Sequence, residues 1–136
     1  MTQESDPLFG KTWKEVPDRS TFSTEFAPSD ETRVYEAVDG GYKLTVSGTH
    51  AGRDYSWHYT ALYDGKPHPV HGRDDVDAVT IYKLDDRTTV GLFMKQLSPG
   101  GPYARQLSED GQTLTVQAAG RNTDGTAFYD VIEYGL

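Results

Sequence analysis

The side chains best suited to chemistry lie on residues 55–63, which read Tyr-Ser-Trp-His-Tyr-Thr-Ala-Leu-Tyr and end at the turn Asp64-Gly65. Aromatic and non-aromatic side chains alternate along this stretch, and alternation with a period of two predicts a β-strand with two unlike faces. One face presents the rings of Trp57 and Tyr59, and the other presents His58. The face that is directed inward therefore decides which chemistry is available.

Acid–base chemistry is one use of this strand. An unperturbed imidazole titrates near neutral pH, at about 6.5, so that His58 can serve as a general acid or base. Asp130 or Glu133, on the predicted last strand, would orient it. We take Tyr59, Asp130 and His58 as the candidate catalytic residues. The alternative for His58 is an exposed position on the strand, which follows if the aromatic face is directed inward.

Ligand binding is the second use, because a buried phenol needs a hydrogen-bond partner and a ligand can provide one. Arg33 alternates with Tyr35, so an inward Tyr35 brings an inward guanidinium. That charge would need Asp130, Glu133 or an anionic ligand as its partner, because an unpaired buried charge is costly. The alternatives are that Val34 points inward in place of Arg33 and that the aromatic face is simply core. The candidate ligand-binding residues are Arg33, Tyr35, Trp57, Tyr63, Phe93 and Tyr134.

The sequence predicts neither a metal nor another cofactor. It contains four histidines and no cysteine, which excludes thiolate ligands and disulfides, and no compact ligand spacing such as His-Glu-x-x-His is present. A Gly-x-Ser-x-Gly nucleophile motif is also absent. The glycine-rich turns lack the strand-to-helix context of a phosphate-binding loop.

Composition narrows the class of protein. The 136 residues fit one domain, 1–136, in which residues 1–7 are expected to be frayed. A net charge of −8 disfavours binding to nucleic acid. No apolar run approaches the 18 residues of a membrane-spanning helix. The first residues are polar and lack the apolar segment of a secretion signal, so we expect no membrane partner and a cytoplasmic location.

Turn sequences divide the chain from residue 31 onward into short alternating segments, which is typical of a sandwich or a barrel. Residues 15–30 have loop composition with room for a short helical turn, and 99–102 (Pro-Gly-Gly-Pro) should interrupt the chain between two strands. Residues 68–72 contain Pro69 and are expected to form an edge strand or a loop. The predicted strands span residues 31–38, 42–48, 55–63, 76–84, 88–97, 103–108, 112–119 and 126–134.

The predicted strand 88–97 is apolar on both faces. If Phe93 looks inward, then Val90, Leu92 and Met94 form an outer apolar face. Such a face can be buried against a second subunit, which predicts a homodimer.

Several short motifs resemble a known family. Gly10-Lys11-Thr12-Trp13-Lys14 resembles the Gly/Trp start of lipocalin-like (calycin) barrels, in which a Trp plugs one end, although two residues separate Gly and Trp here. The remaining motifs are similar to those of a group of small, largely uncharacterised bacterial lipocalin-like domains. They are Tyr63-Asp-Gly-Lys66, Pro69-Val-His-Gly72, Asp75-Val-Asp77, Ser108-Glu-Asp-Gly111 followed by Thr113, and Asn122-Thr-Asp-Gly125. The resemblance implies a barrel with an interior cavity and implies no shared reaction.

The predicted fold is an all-β, antiparallel, up-and-down lipocalin-like barrel of eight or nine strands with little helix. The predicted function is binding of a small apolar or aromatic molecule in the barrel. A conversion of that molecule by isomerisation, cyclisation or elimination would need acid–base groups and no cofactor. The alternative is a structural or interaction domain whose barrel is filled by its own side chains.

Overall fold

Ten antiparallel strands close into a barrel in the computed structural model of this chain, which describes residues 7–25, 27–96 and 98–136. The strands are β1 (Thr12–Glu15), β2 (Ser29–Val38), β3 (Gly41–His50), β4 (Arg53–Leu62), β5 (His68–His71), β6 (Ala78–Asp85), β7 (Thr88–Lys95), β8 (Ser98–Leu107), β9 (Thr113–Arg121) and β10 (Ala127–Gly135). Helix in the described residues is limited to the 3₁₀ turn Pro17–Arg19, which confirms the prediction of little helix. None of the described helical structure has the length and apolar character needed to cross a membrane.

The closure of the barrel depends on β1. Each strand pairs with the next one along the chain, and β1 pairs with both β2 and β10. The predicted all-β antiparallel barrel is therefore confirmed, but the predicted number of eight or nine strands is wrong. The uncounted strand is β1, which has only four residues. Its position is fixed by partners from distant parts of the sequence, such as Arg33 opposite Trp13 and Gly135 opposite Lys14.

The predicted break at residues 99–102 is also wrong, because β8 runs through these residues. The pairing of β7 with β8 shifts between the pairs Leu92–Pro102 and Met94–Pro99. Such an irregularity tolerates proline, which has no N–H to donate to the ladder. The predicted strand end at Leu97 and most of the expected fraying of residues 1–7 concern positions outside the described ranges.

The alternation of β4 determines what lies inside the barrel. Trp57, Tyr59 and Ala61 are buried, whereas His58 and Thr60 are exposed. The aromatic face thus faces inward, as the period-two pattern favoured. Each of these rings removes a large area from water, which makes the inner face of β4 a major part of the core.

Tyr35 and Arg33 on β2 follow the same rule. Tyr35 is fully buried, and the Arg33 side chain is 11 % exposed. The inward direction of Arg33 is therefore confirmed over the alternative that placed Val34 inside.

Aromatic side chains form a large connected part of the core, beside buried aliphatic side chains. The ring of Tyr42 lies 5.4 Å from that of Tyr35, 5.8 Å from that of Tyr59 and 5.9 Å from that of Tyr63. Trp13 is completely buried, and its Nε1 donates a hydrogen bond of 3.1 Å to the carbonyl oxygen of Leu8. The strands therefore surround a dense set of rings that carry polar tips.

The outer surface of β7 has the apolar character that the sequence predicted. Phe93 packs against the core, so that Val90, Leu92 and Met94 lie on the other face, where they are half-buried. Tyr82 on the neighbouring strand is opposite Val90 and is exposed. Association into a homodimer through this face stays a prediction.

Candidate functional site

Three tyrosine hydroxyls meet inside the barrel and form what we call the tyrosine cluster: Tyr42 on β3, Tyr59 on β4 and Tyr103 on β8. The Oη atoms of Tyr42 and Tyr59 are 2.7 Å apart, a normal hydrogen bond. The Oη of Tyr103 is 3.4 Å from that of Tyr42 and 3.5 Å from that of Tyr59, at the outer limit for such a bond. The Tyr103 hydroxyl therefore retains capacity to donate to another group.

The protonation state of the tyrosine cluster follows from its burial. Burial raises the pKa of Tyr42, and it raises the pKa values of Tyr59 and Tyr103 well above their ordinary value. These phenols are neutral at physiological pH. They can donate or accept hydrogen bonds and orient a ligand, but they do not provide a ready base.

Arg105 lies beside this cluster and is 5 % exposed. Its guanidinium carbon is 4.8 Å from the ring centroid of Tyr35 and 4.9 Å from that of Tyr42. Nη2 donates to the hydroxyl of Thr89. Nη1 is buried and has no hydrogen-bond partner within residues 7–25, 27–96 and 98–136.

The sequence analysis did not identify Arg105 or Tyr103 as site residues. The signal was the alternation of Tyr103, Arg105 and Leu107 within a predicted strand, since residues two apart on a strand share a face. All three are buried in the structure. What alternation could not indicate is that Arg105 lacks a full set of partners.

A small cavity of about 10 Å³ adjoins Arg105 at the end of the barrel where the turn between β6 and β7 lies. This is about the space that one water molecule needs. Its lining combines apolar side chains with three cations and one carboxylate. The lining residues are Leu8, Tyr63, Lys83, Asp86, Arg87, Thr89, Arg105 and Leu107.

The second interior arginine, Arg33, has a counterion. Its Nε is 3.2 Å from a carboxylate oxygen of Glu31 and 3.0 Å from Oη of Tyr134. Glu31 also accepts hydrogen bonds from the hydroxyls of Tyr55, at 2.7 Å, and Tyr134. The carboxylate that pairs with Arg33 thus comes from its own strand and not from β10.

The two acidic residues that the sequence analysis offered as partners of Arg33 bind elsewhere. Oδ1 of Asp130 accepts the backbone N–H groups of Ser23, at 2.9 Å, and Thr24, at 3.2 Å. Burial raises the pKa of Asp130, while these two donors act in the opposite direction. Glu133 forms an exposed ion pair of 3.2 Å with Arg19. Asp130 therefore anchors the segment between β1 and β2 to β10.

The candidate catalytic residues are not brought together. His58 lies on the outer face of β4, where its ring stacks on that of His71, opposite it on β5, with centroids 5.1 Å apart. Tyr59 belongs to the tyrosine cluster, and Asp130 binds the backbone of Ser23 and Thr24. The side chains of His58 and Tyr59 therefore lie on opposite faces of β4, and Asp130 is engaged by the backbone of Ser23 and Thr24.

The predicted ligand-binding residues all border the interior. Arg33, Tyr35 and Tyr134 lie inside the barrel, as described above. The rings of Trp57 and Phe93 pack together with their centroids 6.0 Å apart. Arg73 covers both rings, at 4.8 and 5.0 Å, and forms two hydrogen bonds with Asp75. Tyr63 lies near the opposite end, where it lines the small cavity. The rings of Tyr42 and Tyr59 connect that of Tyr63 with those of Trp57 and Phe93.

The described part of the chain contains no group of three or more His, Asp or Glu side chains that could hold a metal ion. A scan against models of known families finds no match for this chain, and a search of curated proteins finds none either.

Proposed function

We propose that this chain is a lipocalin-like, up-and-down barrel that binds a small molecule with an apolar or aromatic body. The sequential pairing of all ten strands supports this assignment. The observation that carries the function is the long pair of contacts made by Tyr103, at 3.4 and 3.5 Å, inside a largely apolar interior. A ligand acceptor within reach of this hydroxyl completes its hydrogen bonding.

Binding requires movement of the lining. The cavity beside Arg105 has room for one water-sized group, so a larger body displaces rings that now touch each other. Phe93 is half-buried and packs on the buried Trp57 beneath Arg73 at one end of the barrel, so the Phe93 ring is suited to such a rearrangement. We expect the free protein to be closed and the bound protein to be expanded around its ligand.

The small volume of this cavity favours a second candidate function. A barrel filled by its own side chains suits a structural or interaction domain that takes no ligand. The two candidates differ in a direct way, because the second predicts no saturable uptake of any small aromatic molecule.

Catalysis is the weaker extension of the binding proposal. Conversion of a ligand needs a proton acceptor near the reacting atom, and the raised pKa values of Tyr59 and Tyr103 make them donors at neutral pH. Tyr59 can polarise a ligand carbonyl by donating a hydrogen bond. His58 lies on the outer face of β4, and Asp130 binds the backbone of Ser23 and Thr24, so neither is placed to accept a proton from that ligand. We therefore propose binding without turnover as the main activity. A cytoplasmic location, expected from the sequence, stays a prediction.

Prodan, a neutral naphthyl ketone with environment-sensitive fluorescence, tests the binding proposal. We expect saturable binding with a blue shift of its emission, because the ketone accepts from the tyrosine cluster and the rings surround the naphthalene. Tyr103→Phe should weaken binding by about 2- to 10-fold, the value of one hydrogen bond. Tyr82→Phe is the matched control, because Tyr82 is on the outer surface, and it should bind prodan as the parent does.

Absence of saturable prodan binding would favour the filled-core function. Equal weakening by Tyr103→Phe and Tyr82→Phe would contradict an interior site at the tyrosine cluster.

A further inference from the structure

The side chains of Arg33 and Arg105 both enter the barrel, but they differ in their hydrogen-bond and ion-pair partners. Arg33 faces Glu31 at 3.2 Å. For Arg105, no described carboxylate lies within ion-pair distance, and its Nη1 is buried without a hydrogen-bond partner among the residues that the structure describes. The charge of Arg33 is therefore paired, whereas the charge of Arg105 and one of its N–H groups lack a partner among the described residues.

The incompleteness of Arg105 has an energetic meaning. A guanidinium stays protonated in proteins, so it cannot escape burial by losing its charge. The rings of Tyr35 and Tyr42, at 4.8 and 4.9 Å, offset part of the desolvation through cation–π attraction. They offer no acceptor in place of the one that Nη1 lacks. An anion is the group that satisfies both the charge and the free N–H.

The surroundings of Arg105 suit the approach of an anion. The adjoining cavity is lined by Lys83 and Arg87 as well as Arg105, against the single carboxylate of Asp86. The Nζ atom of Lys83 lies 5.5 Å from the ring of Tyr63, which also lines the cavity. Arg87 also pairs with Glu109, at 3.7 Å, so Lys83 and Arg105 are the lining cations that have no carboxylate within ion-pair distance among the described residues. Two cations without carboxylate partners favour the approach of an anion to this end of the barrel.

The size of the cavity limits what fits. About 10 Å³ accepts an atom or group comparable to one water molecule. A carboxylate oxygen satisfies this limit, and the apolar side chains of Leu8 and Leu107 bound the same space. A bulkier body has to extend from the cavity toward the rings of Tyr35 and Tyr42, over which Arg105 lies.

We propose that Arg105 is the anchor for a carboxylate, which enters at the end of the barrel marked by Lys83 and Arg87. This inference rests on the proposed binding function, to which it adds the chemical class of the ligand: a monocarboxylate with an apolar body. A free small carboxylate shares the same chemistry at Arg105. The experiment below separates it from a carboxylate on an apolar body.

Calorimetric titration of the full chain with four probes tests this assignment: octanoate, octanamide, acetate and chloride, in zwitterionic buffer at low ionic strength. Octanoate should bind at least about ten times more tightly than octanamide, because the charged group contributes a charge-assisted hydrogen bond that the amide lacks. Acetate should bind more weakly than octanoate and compete with it. Chloride should compete poorly, because it accepts weaker hydrogen bonds than a carboxylate and carries no apolar body that could be buried.

Arg105→Met should reduce the preference for octanoate over octanamide to about one-fold, because the charge-assisted bond is removed. In the absence of ligand this variant should melt no lower than the parent, since replacing an uncompensated buried charge with an apolar side chain of similar volume removes a desolvation penalty. Arg105→Lys keeps the charge without the planar fork and should retain an intermediate preference. Arg19→Met is the matched control, because it removes one positive charge from the surface and should leave the preference intact.

The outcomes separate the two proposals. An octanoate preference that survives in Arg105→Met, or equal binding of octanoate and octanamide by the parent, overturns the carboxylate site, and the proposed function still stands if octanamide and prodan bind. Equal affinity for acetate and octanoate, lost in Arg105→Met, with no binding of octanamide or prodan, retains the anion site and overturns the proposed function.

Discussion

Nε of Arg33 lies 3.2 Å from Oε2 of Glu31 inside the barrel, where the two side chains are 11 % and 5 % exposed. Removing one member of a buried ion pair leaves the other charge uncompensated. Arg33→Met should therefore lower the free energy of unfolding by about 3 kcal/mol or more. Urea denaturation at neutral pH measures this value.

The control for Arg33→Met is Arg19→Met, which breaks the exposed ion pair with Glu133. An exposed pair contributes at most about 1 kcal/mol, so this variant should remain close to the parent. The double variant Glu31→Gln with Arg33→Met should recover part of the loss, because no unpaired charge remains. Equal stability of Arg33→Met and Arg19→Met would contradict the structural importance of the pair.

The hydrogen bond of 2.7 Å between Tyr42 and Tyr59 gives the second prediction. Tyr59→Phe leaves the Tyr42 hydroxyl buried beside a ring that cannot hydrogen bond, which should cost about 1 kcal/mol of unfolding free energy. Tyr103→Phe should cost less, because its two contacts are long. Guanidinium denaturation of both variants beside the parent measures the difference. A larger loss in Tyr103→Phe than in Tyr59→Phe would show that the cluster is organised around Tyr103.

Alternation explains why much of the interior could be predicted from the sequence. One face of each strand must be buried, so the position of a single bulky ring fixes the direction of its neighbours at even spacing. Trp57 and Tyr59 inside, His58 outside and Arg33 beside Tyr35 all follow from this rule. The same physical constraint predicted the all-β antiparallel barrel, because short alternating segments joined by turns have few other ways to bury one face.

Features that depend on contacts between distant residues could not be predicted in this way. The four residues of β1 show little alternation and are held by pairing with β2 and β10. The interruption of the β7–β8 ladder admits Pro99 and Pro102 into β8, which the local sequence excluded. The charge balance of Arg105 likewise depends on which side chains surround it.

Glu31 is a different case, because the sequence did contain its signal. Glu31, Arg33 and Tyr35 alternate on one strand and therefore share a face. The partner of Arg33 is therefore the carboxylate two positions away on β2, and not an acidic residue of the last strand. Alternation alone thus places a counterion beside Arg33 on the same face of the same strand.

Gly91 of β7 gives the third prediction, because its missing side chain makes room for Tyr103. A Cβ at this position would lie 2.1 Å from the carbonyl oxygen of Thr80 and 2.7 Å from the ring of Tyr103. The backbone oxygen cannot easily retreat, so Gly91→Ala should destabilise the protein by about 2 kcal/mol. It should also displace the Tyr103 ring and weaken prodan binding. Thermal melting and fluorescence titration measure the two effects.

Gly135→Ala is the matched control on a strand, since its Cβ would meet only Val16 Cγ2, at an ordinary 3.6 Å. This variant should change the unfolding free energy by no more than about 0.5 kcal/mol. If Gly91→Ala were as stable as Gly135→Ala, the close approach of β6 and Tyr103 to Gly91 would be excluded.

Asp130 gives a prediction that depends on pH. Burial raises its pKa, although the N–H groups of Ser23 and Thr24 oppose this effect. The folded state therefore binds this proton more tightly than the unfolded state, and the contribution of Asp130 to stability is greatest below its unfolded pKa of about 3.9 and decreases as pH rises through the raised folded value. Asp130→Asn keeps an oxygen for the two donors and carries no charge.

Urea denaturation from pH 3 to pH 7 compares the parent with Asp130→Asn and Asp130→Ala. Asp130→Asn should gain stability relative to the parent as pH rises across this window, because the desolvated charge is absent. Asp130→Ala removes the acceptor of two backbone donors and should be less stable than Asp130→Asn by about 1 kcal/mol throughout the range. A parent that gains stability over Asp130→Asn toward pH 7 would mean that the two N–H groups outweigh burial, and the carboxylate would then be a stabilising anchor for residues 23 and 24.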